Sequence, residues 1–136
     1  MTLNPYLGFK GNCEEAFKFY AEVLGGQILA MIKGSDTPMK DKMPPGTEHF
    51  VMHARMIVDG KLLMGGDAPE SFYKAPQGFN VQVGVDTPEE AERIFKALSE
   101  GGTISMALQE TFWAHRFGTC IDRFGTPWMV NCEKAM

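Results

Sequence analysis

Apolar residues in this chain follow two rhythms, and each rhythm occurs twice. From Asn4 to Phe9, polar or small residues alternate with apolar ones, the period of a half-buried strand, and Asn80–Val85 repeats that alternation. Each segment then gives way to a helical period. Ala16, Phe19, Tyr20 and Val23 make one i, i+3, i+4, i+7 stripe; Ala91, Ile94, Phe95 and Leu98 make the other. Asn12 is placed to cap the first helix, with Glu15 three residues on as the partner of a capping box. Thr87-Pro88 opens the second, with proline at the first helical position and Glu90 three residues after the cap. The acids at both starts suit the positive end of the helix dipole. Each helix runs into a glycine pair, Gly25-Gly26 or Gly101-Gly102, which admits the left-handed conformation that ends a helix.

Three further strands are expected behind each helix. In the first half they are Gln27–Lys33, His49–Val58 and Lys61–Gly65, with a tight turn at Asp59-Gly60. In the second half they are Thr103–Leu108, Ala114–Asp122 and Pro127–Cys132, with a turn around Arg123–Thr126. Asn4 and Asn80 lie 76 residues apart, and the Glu-Glu-Ala starts at Glu14 and Glu89 lie 75 apart, so the chain reads as βαβββ written twice. Gly34–Thr47 and Asp67–Gly78 are longer loops, each a candidate lid or subunit contact.

The 136 residues match one domain of ordinary size, with a first module at about 1–67 and a second at about 78–136. A composition 44% hydrophobic and 22% charged is that of a globular chain, not a disordered one. No apolar run approaches the ~20 residues of a membrane span. Met1–Tyr6 has no basic stretch followed by an apolar one, so no secretory leader is expected. A net charge of −4 with scattered Lys and Arg argues against a nucleic-acid partner. Cys13, Cys120 and Cys132 form no C-x-x-C pair, which fits buried, reduced thiols and a cytoplasmic location; Cys13, at a helix start, is the one candidate for reactivity. No P-loop, strand-linked G-x-G-x-x-G or G-x-S-x-G elbow occurs, and no cofactor is expected.

The chain nevertheless carries family-like stretches. They are Glu14–Tyr20 with Leu24-Gly25-Gly26, Met52-His53-Ala54, Glu110–Gly118 and, most specifically, Asp122-Arg123-Phe124-Gly125-Thr126-Pro127-Trp128-Met129-Val130-Asn131. On these it resembles the PhnB-like branch of the vicinal oxygen chelate superfamily, which includes glyoxalase I, extradiol dioxygenases and bleomycin-resistance proteins. The resemblance spans nearly the whole chain. It implies an α+β fold in which two βαβββ modules form an open eight-stranded barrel-like cup with the helices outside, and it implies a homodimer.

It also implies a divalent metal held from the start of the first strand and from the last strand of each module. Those positions fall at Asn4, Asn80, Met64 and Met129. Two amides and two neutral thioethers are poor ligands for a dication, which takes imidazole and carboxylate, or hard oxygen. A one-residue slip brings in only Pro5 or Leu3, with Asp67 and Glu133 near strand ends. The metal centre is therefore expected to be missing. Relatives of this branch have been labelled demethylubiquinone methyltransferases, but the glycine-rich cofactor loop of a typical methyltransferase is absent from the sequence.

Within the implied cup, strand parity assigns the walls. On the third strand Phe50, Met52, Ala54, Met56 and Val58 face the helices, leaving His49, Val51, His53, Arg55 and Ile57 inside. Phe79, Val81, Val83 and Val85 likewise leave Asn80, Gln82 and Gly84 inside, and Asn4 and Tyr6 point the same way. Counting back from the turn aspartates Asp59 and Asp122 matches Arg116 to His53, while a bulge exchanges Arg116 for His115. The expected ligand-binding set is thus Tyr6, His53, Arg55, Asn80, Gln82 and Arg116, with Met64, Met129 and Trp113 as apolar walls. An inward arginine favours a carboxylate or phosphate. Blander readings stand beside these: a hydrogen-bonded core histidine, an Arg55 salt bridge across the sheet, amides satisfied by each other or by water, and a Trp113 buried in a core or interface.

Together these residues read as a small-molecule-binding protein that pairs with itself and needs no metal. The alternative is a metal-independent enzyme with His53 as catalytic acid or base beside Arg55. A metal-dependent lyase or dioxygenase is disfavoured by the four metal positions.

Overall fold

A computed structural model describes residues 1–135 and divides the chain into two compact units, Met1–Ala75 and Pro76 onward. The first contains β1 (Tyr6–Phe9), α1 (Cys13–Leu24), β2 (Gln27–Lys33), β3 (Val51–Val58) and β4 (Lys61–Asp67). The second contains β5 (Val81–Gly84), α2 (Pro88–Ser99), β6 (Thr103–Gln109), β7 (Ala114–Ile121) and β8 (Pro127–Glu133). Two short 3-10 turns, Gly34–Asp36 and Lys40–Lys42, break the loop after β2. The strands hydrogen-bond as two separate four-stranded sheets, ordered β1-β4-β3-β2 and β5-β8-β7-β6. In each, one parallel edge pair joins an antiparallel meander. The fold is α+β, as the repeat implies.

Each helix covers one face of its sheet. On α1 the fully buried positions are Cys13, Ala16, Phe17 and Tyr20, the two aromatic rings lying against Phe9. Phe17, not Phe19, is the buried aromatic of the stripe, and it meets Phe9 edge-on with centroids 6.1 Å apart. On α2 the stripe Ala91, Ile94, Phe95 and Leu98 is buried as expected. Trp128, Val130 and Cys132 of β8 are also buried. Three placements on these faces need correction. Val51 is fully buried and Met52 is 43% exposed, because pairing with β2 slips between Ile32↔His53 and Lys33↔Val51 and leaves Met52 as the extra residue of a bulge. Phe79 precedes β5 and is 47% exposed.

The two helix starts are stabilised differently. Thr87 caps α2 as read, its Oγ1 accepting from Glu90 N at 3.2 Å. Asn12 makes no cap bond, and its Oδ1 is buried without a partner. The donors at the start of α1 go instead to Asp67, at the end of β4: its Oδ1 accepts from Gly11 N (2.8 Å) and Cys13 N (3.1 Å), and its Oδ2 from Val51 N (2.8 Å). Thr87→Ala is therefore expected to cost about 1 kcal/mol, the usual value of a cap. Asn12→Ala should cost less than about 0.5 kcal/mol, since only an unpaired acceptor is lost. Urea unfolding of the two variants checks this, and equal losses would contradict it.

The helix ends also diverge. Gly25 itself is the left-handed cap of α1, at φ 70°. On α2 the cap is extended Glu100, and the left-handed residue is Gly101, at φ 75°. Gly102 serves a different purpose: a Cβ there would strike the carbonyl oxygen of Ile121, so the chain can enter β6 against β7 only with glycine.

Candidate functional site

The candidate face of the first module is the one turned away from α1. Ala54 and Met56 lie buried beneath the helix, so His53 and Arg55 emerge on the opposite side of β3. Tyr6 and Arg55 both register with Met64 on β4, which brings Tyr6, His53, Arg55 and Met64 onto one face. The Tyr6 ring stacks on His53 with centroids 5.9 Å apart and planes inclined by 28°. Its hydroxyl donates to Met52 O, the carbonyl exposed by the bulge, at 3.3 Å. Partial burial raises the phenol's pKa, so this group stays a donor at neutral pH.

Arg55 is half-buried, and among the described residues it has no ion-pair partner. Its Nε is shut away from water with no acceptor. The cross-sheet salt bridge is thus not formed, and a guanidinium remains free to take an anion. His53 is half-buried, and among the described residues its ring makes no hydrogen bond; its one partner is Tyr6.

In the second module, Gln82 registers with Met129, and Met129 with Thr119. The next row is Gly84, Asn131 and Phe117. Both rows lie away from α2. Trp113 packs edge-on against Phe117 with centroids 5.2 Å apart and so joins this face. Asn80 is exposed and precedes β5; Gln82 is exposed within it.

Arg116 does not join the set. It registers with Cys132 on the helix side of the sheet, and its Nε donates to Glu92 of α2 at 3.0 Å. His115 is exposed. Val58 pairs with Lys61 across a two-residue turn, whereas Ile121 pairs with Pro127 across a longer one. That difference reverses the parity of a count made from the turn. Thr119 and Phe117 thus occupy the places that Arg55 and His53 hold in the first module.

Parity along β8 locates residues that motif reading missed. Asn131 and Glu133 follow Met129 on the same face. With Gln82, Gly84, Val85 and Asp86 they line an open cavity of ≈370 Å³. The alternation beyond Met129 carries the signal for Asn131, which lies inside the expected strand, whereas Glu133 lies just past its expected end at Cys132.

The superfamily's metal does not fit the residues present. Asn4 and Asn80 lie outside β1 and β5, and Met64 and Met129 offer only thioethers. Asp67, the nearest carboxylate to the first-module positions by sequence, is engaged by three backbone N–H groups. Among the described residues no three His, Cys, Asp or Glu side chains converge.

The thiols are buried. Burial, then the carboxylates of Asp67 and Glu14, push Cys13 well above the ordinary thiol range; burial and Asp122 push Cys120 up to about 11. Position at a helix start does not activate Cys13, because Asp67 already holds the N–H groups there. Native protein at about pH 8 is expected to react with a thiol reagent only on unfolding. A fast stoichiometric reaction of the folded protein would overturn this.

Residues 1–131 match the family described as 3-demethylubiquinone-9 3-methyltransferase. The chain is 37% identical to protein YjdN of Escherichia coli (strain K12), covering 98% of this chain and 97% of that one. It is 43% identical to protein PA1353 of Pseudomonas aeruginosa, with 99% of each chain covered and a TM-score of 0.90. It is 27% identical to a Bacillus cereus structure titled putative 3-demethylubiquinone-9 3-methyltransferase, PhnB protein, with 97% and 99% covered and a TM-score of 0.81. A glyoxylase/bleomycin resistance protein/dioxygenase domain from Frankia sp. EAN1pec shares the fold, at 11% identity, 97% and 94% coverage and a TM-score of 0.63.

Proposed function

The chain belongs to the PhnB-like family, within the glyoxalase/bleomycin resistance/dioxygenase fold, and from that premise we propose that it is a small-molecule-binding protein whose first module takes an anionic group. The observation that carries this reading is Arg55, a half-buried guanidinium with an unpaired Nε beside Tyr6 and His53. A carboxylate or phosphate would pair with a guanidinium that has no ion-pair partner among the described residues, and Met64 would give the ligand an apolar contact. Neither the metal positions nor a cofactor motif supports a metal- or cofactor-dependent reaction.

A thermal-shift screen of carboxylate- and phosphate-bearing metabolites tests the reading. At least one hit is expected, with affinity falling about tenfold or more in Arg55→Gln. An empty screen, or hits untouched by that substitution, would sink it. The second reading, acid–base catalysis by His53, draws on the ring's place on the same face as Arg55. Against it, a general acid or base needs a positioned proton partner, and among the described residues His53 has only a stacking one. Binding that survives His53→Ala, with no product formed from the hit, rejects catalysis.

The same proposal includes a homodimer in the cytoplasm. Ile32, Leu29, Ile104 and Met106 are exposed apolar residues on the edge strands β2 and β6, which favours burial against another copy. Three unpaired cysteines favour a reducing compartment. A monomer mass in solution at micromolar concentration would remove the dimer from the proposal.

A further inference from the structure

The second module holds a cavity whose lining is opposite in charge to the Arg55 face of the first. The ≈370 Å³ cavity lies over Gly84 on the edge strand β5. Gly84 registers with Asn131, so the missing side chain leaves open the space beside that amide. No basic side chain lines the cavity, while Asp86 and Glu133 contribute two carboxylates. Among the described residues neither carboxylate has an ion-pair partner.

Asn131 supplies the second, independent observation. It is only 9% exposed, and its Oδ1 is buried without a hydrogen bond. Its orientation is fixed by its other end: Nδ2 donates to Glu133 Oε1 at 3.2 Å. Turning the amide over would set oxygen against carboxylate, acceptor against acceptor. The unsatisfied group is therefore an acceptor, on a residue lining a cavity whose other side-chain polar groups are Gln82 and two carboxylates. An unpaired buried acceptor is costly, and a donor delivered by a ligand removes that cost.

From this donor-poor, anionic lining we infer that the cavity binds a small organic cation carrying N–H donors, a primary or secondary ammonium group, held by Asn131, Gln82, Asp86 and Glu133. A bare metal ion fits less well. Hard cations demand a close cage of six or more oxygens, and the volume instead lies at the low end of the range for small-molecule sites.

The test is an amide-resolved NMR titration of the full chain with putrescine, choline and MgCl2 as probes. Putrescine is expected to give saturable shifts at Gly84, Val85, Asp86 and Glu133. Choline carries a single quaternary charge, no N–H and one hydroxyl as its sole donor, and should bind about tenfold more weakly or worse. Glu133→Gln should weaken putrescine by a similar factor. Gly84→Ala should do so as well, since its methyl would sit 3.3 Å from the Gln82 amide nitrogen and intrude on the cavity. Gly84 is not in a left-handed conformation, so that variant should keep the wild-type spectrum elsewhere and separates loss of site from loss of fold. Arg55→Gln should leave putrescine binding unchanged, which separates this site from the one proposed above. The inference is overturned by an absence of saturable shifts up to roughly 10 mM putrescine. It is also overturned if choline binds as well as putrescine, or if MgCl2 saturates these residues and putrescine does not.

Discussion

Replacing Asp122 with alanine is expected to cost about 3–5 kcal/mol, the largest loss of any single side-chain truncation considered for this protein. Asp122 is 3% exposed. Its Oδ1 accepts from Phe124 N at 2.8 Å and Thr126 N at 3.0 Å, and its Oδ2 from the indole Nε1 of Trp128 at 2.7 Å. Truncation strands three buried donors at once, each costing about 1–3 kcal/mol when left unpaired. The carboxylate also shapes the β7–β8 turn and fixes the indole at the start of β8, so its loss loosens the strand carrying Met129, Asn131 and Glu133. Asp122→Asn should fall between wild type and alanine. Its carbonyl can still accept from the turn amides, but its NH2 faces another donor at the indole. Urea unfolding followed by Trp fluorescence reads both variants. A loss below about 1 kcal/mol for the alanine variant would show that the bonds to this carboxylate are replaceable by water.

The second large effect is expected at Asp67. Asp67→Ala should destabilise the protein by about 2–4 kcal/mol, because Gly11, Cys13 and Val51 all lose their acceptor. The carboxylate ties the end of β4 to the start of α1 and the start of β3, three segments far apart in sequence. Asp67→Asn keeps one oxygen and should lose roughly half as much, through Val51 or through the helix start, depending on how the amide turns. Hydrogen exchange at the Cys13 and Val51 amides separates these outcomes from global unfolding: both should exchange faster than their neighbours in the alanine variant. Unchanged protection at both would mean that the helix start is held by something other than Asp67.

Both aspartates were visible in the sequence, yet neither role was. Asp122 stood in a turn motif and Asp67 at a strand end, where it read only as a remote alternative metal ligand. Local rules favoured Asn12 as the cap of α1, since capping is usually done by a neighbour in sequence. The tertiary fold brings in a better acceptor: a carboxylate with two oxygens can take the donors of α1 and β3 together. Thr87, with no such competitor, caps α2 as its sequence position suggests. Phe19 and Phe17 show a milder form of the same limit, because a helical stripe fixes the periodicity of burial but not which edge of the stripe lies deepest.

The candidate site was legible to the extent that side-chain parity could be carried along unbroken strands. From His53 to Val58 it held, and His53, Arg55, Tyr6 and Met64 share a face. It failed where a bulge or a turn of different length changed the count, at Met52 and at Arg116. A shift of one residue moves a side chain to the opposite face of a sheet, so Arg116 meets Glu92 of α2 rather than a ligand.

By itself, then, the sequence determined the repeated βαβββ order, the extent of both helices and most strands, and the unsuitability of Asn4, Met64, Asn80 and Met129 as a metal set. Periodicity, caps and ligand chemistry are local properties, written in neighbouring residues. Only the tertiary structure decided that, among the described residues, Arg55 lacks an ionic partner, Asp67 and Asp122 satisfy backbone and indole donors, and Asn131 keeps an unpaired oxygen beside Gly84. Those are matters of which distant groups meet and which are left without a partner, and they are settled by register and packing.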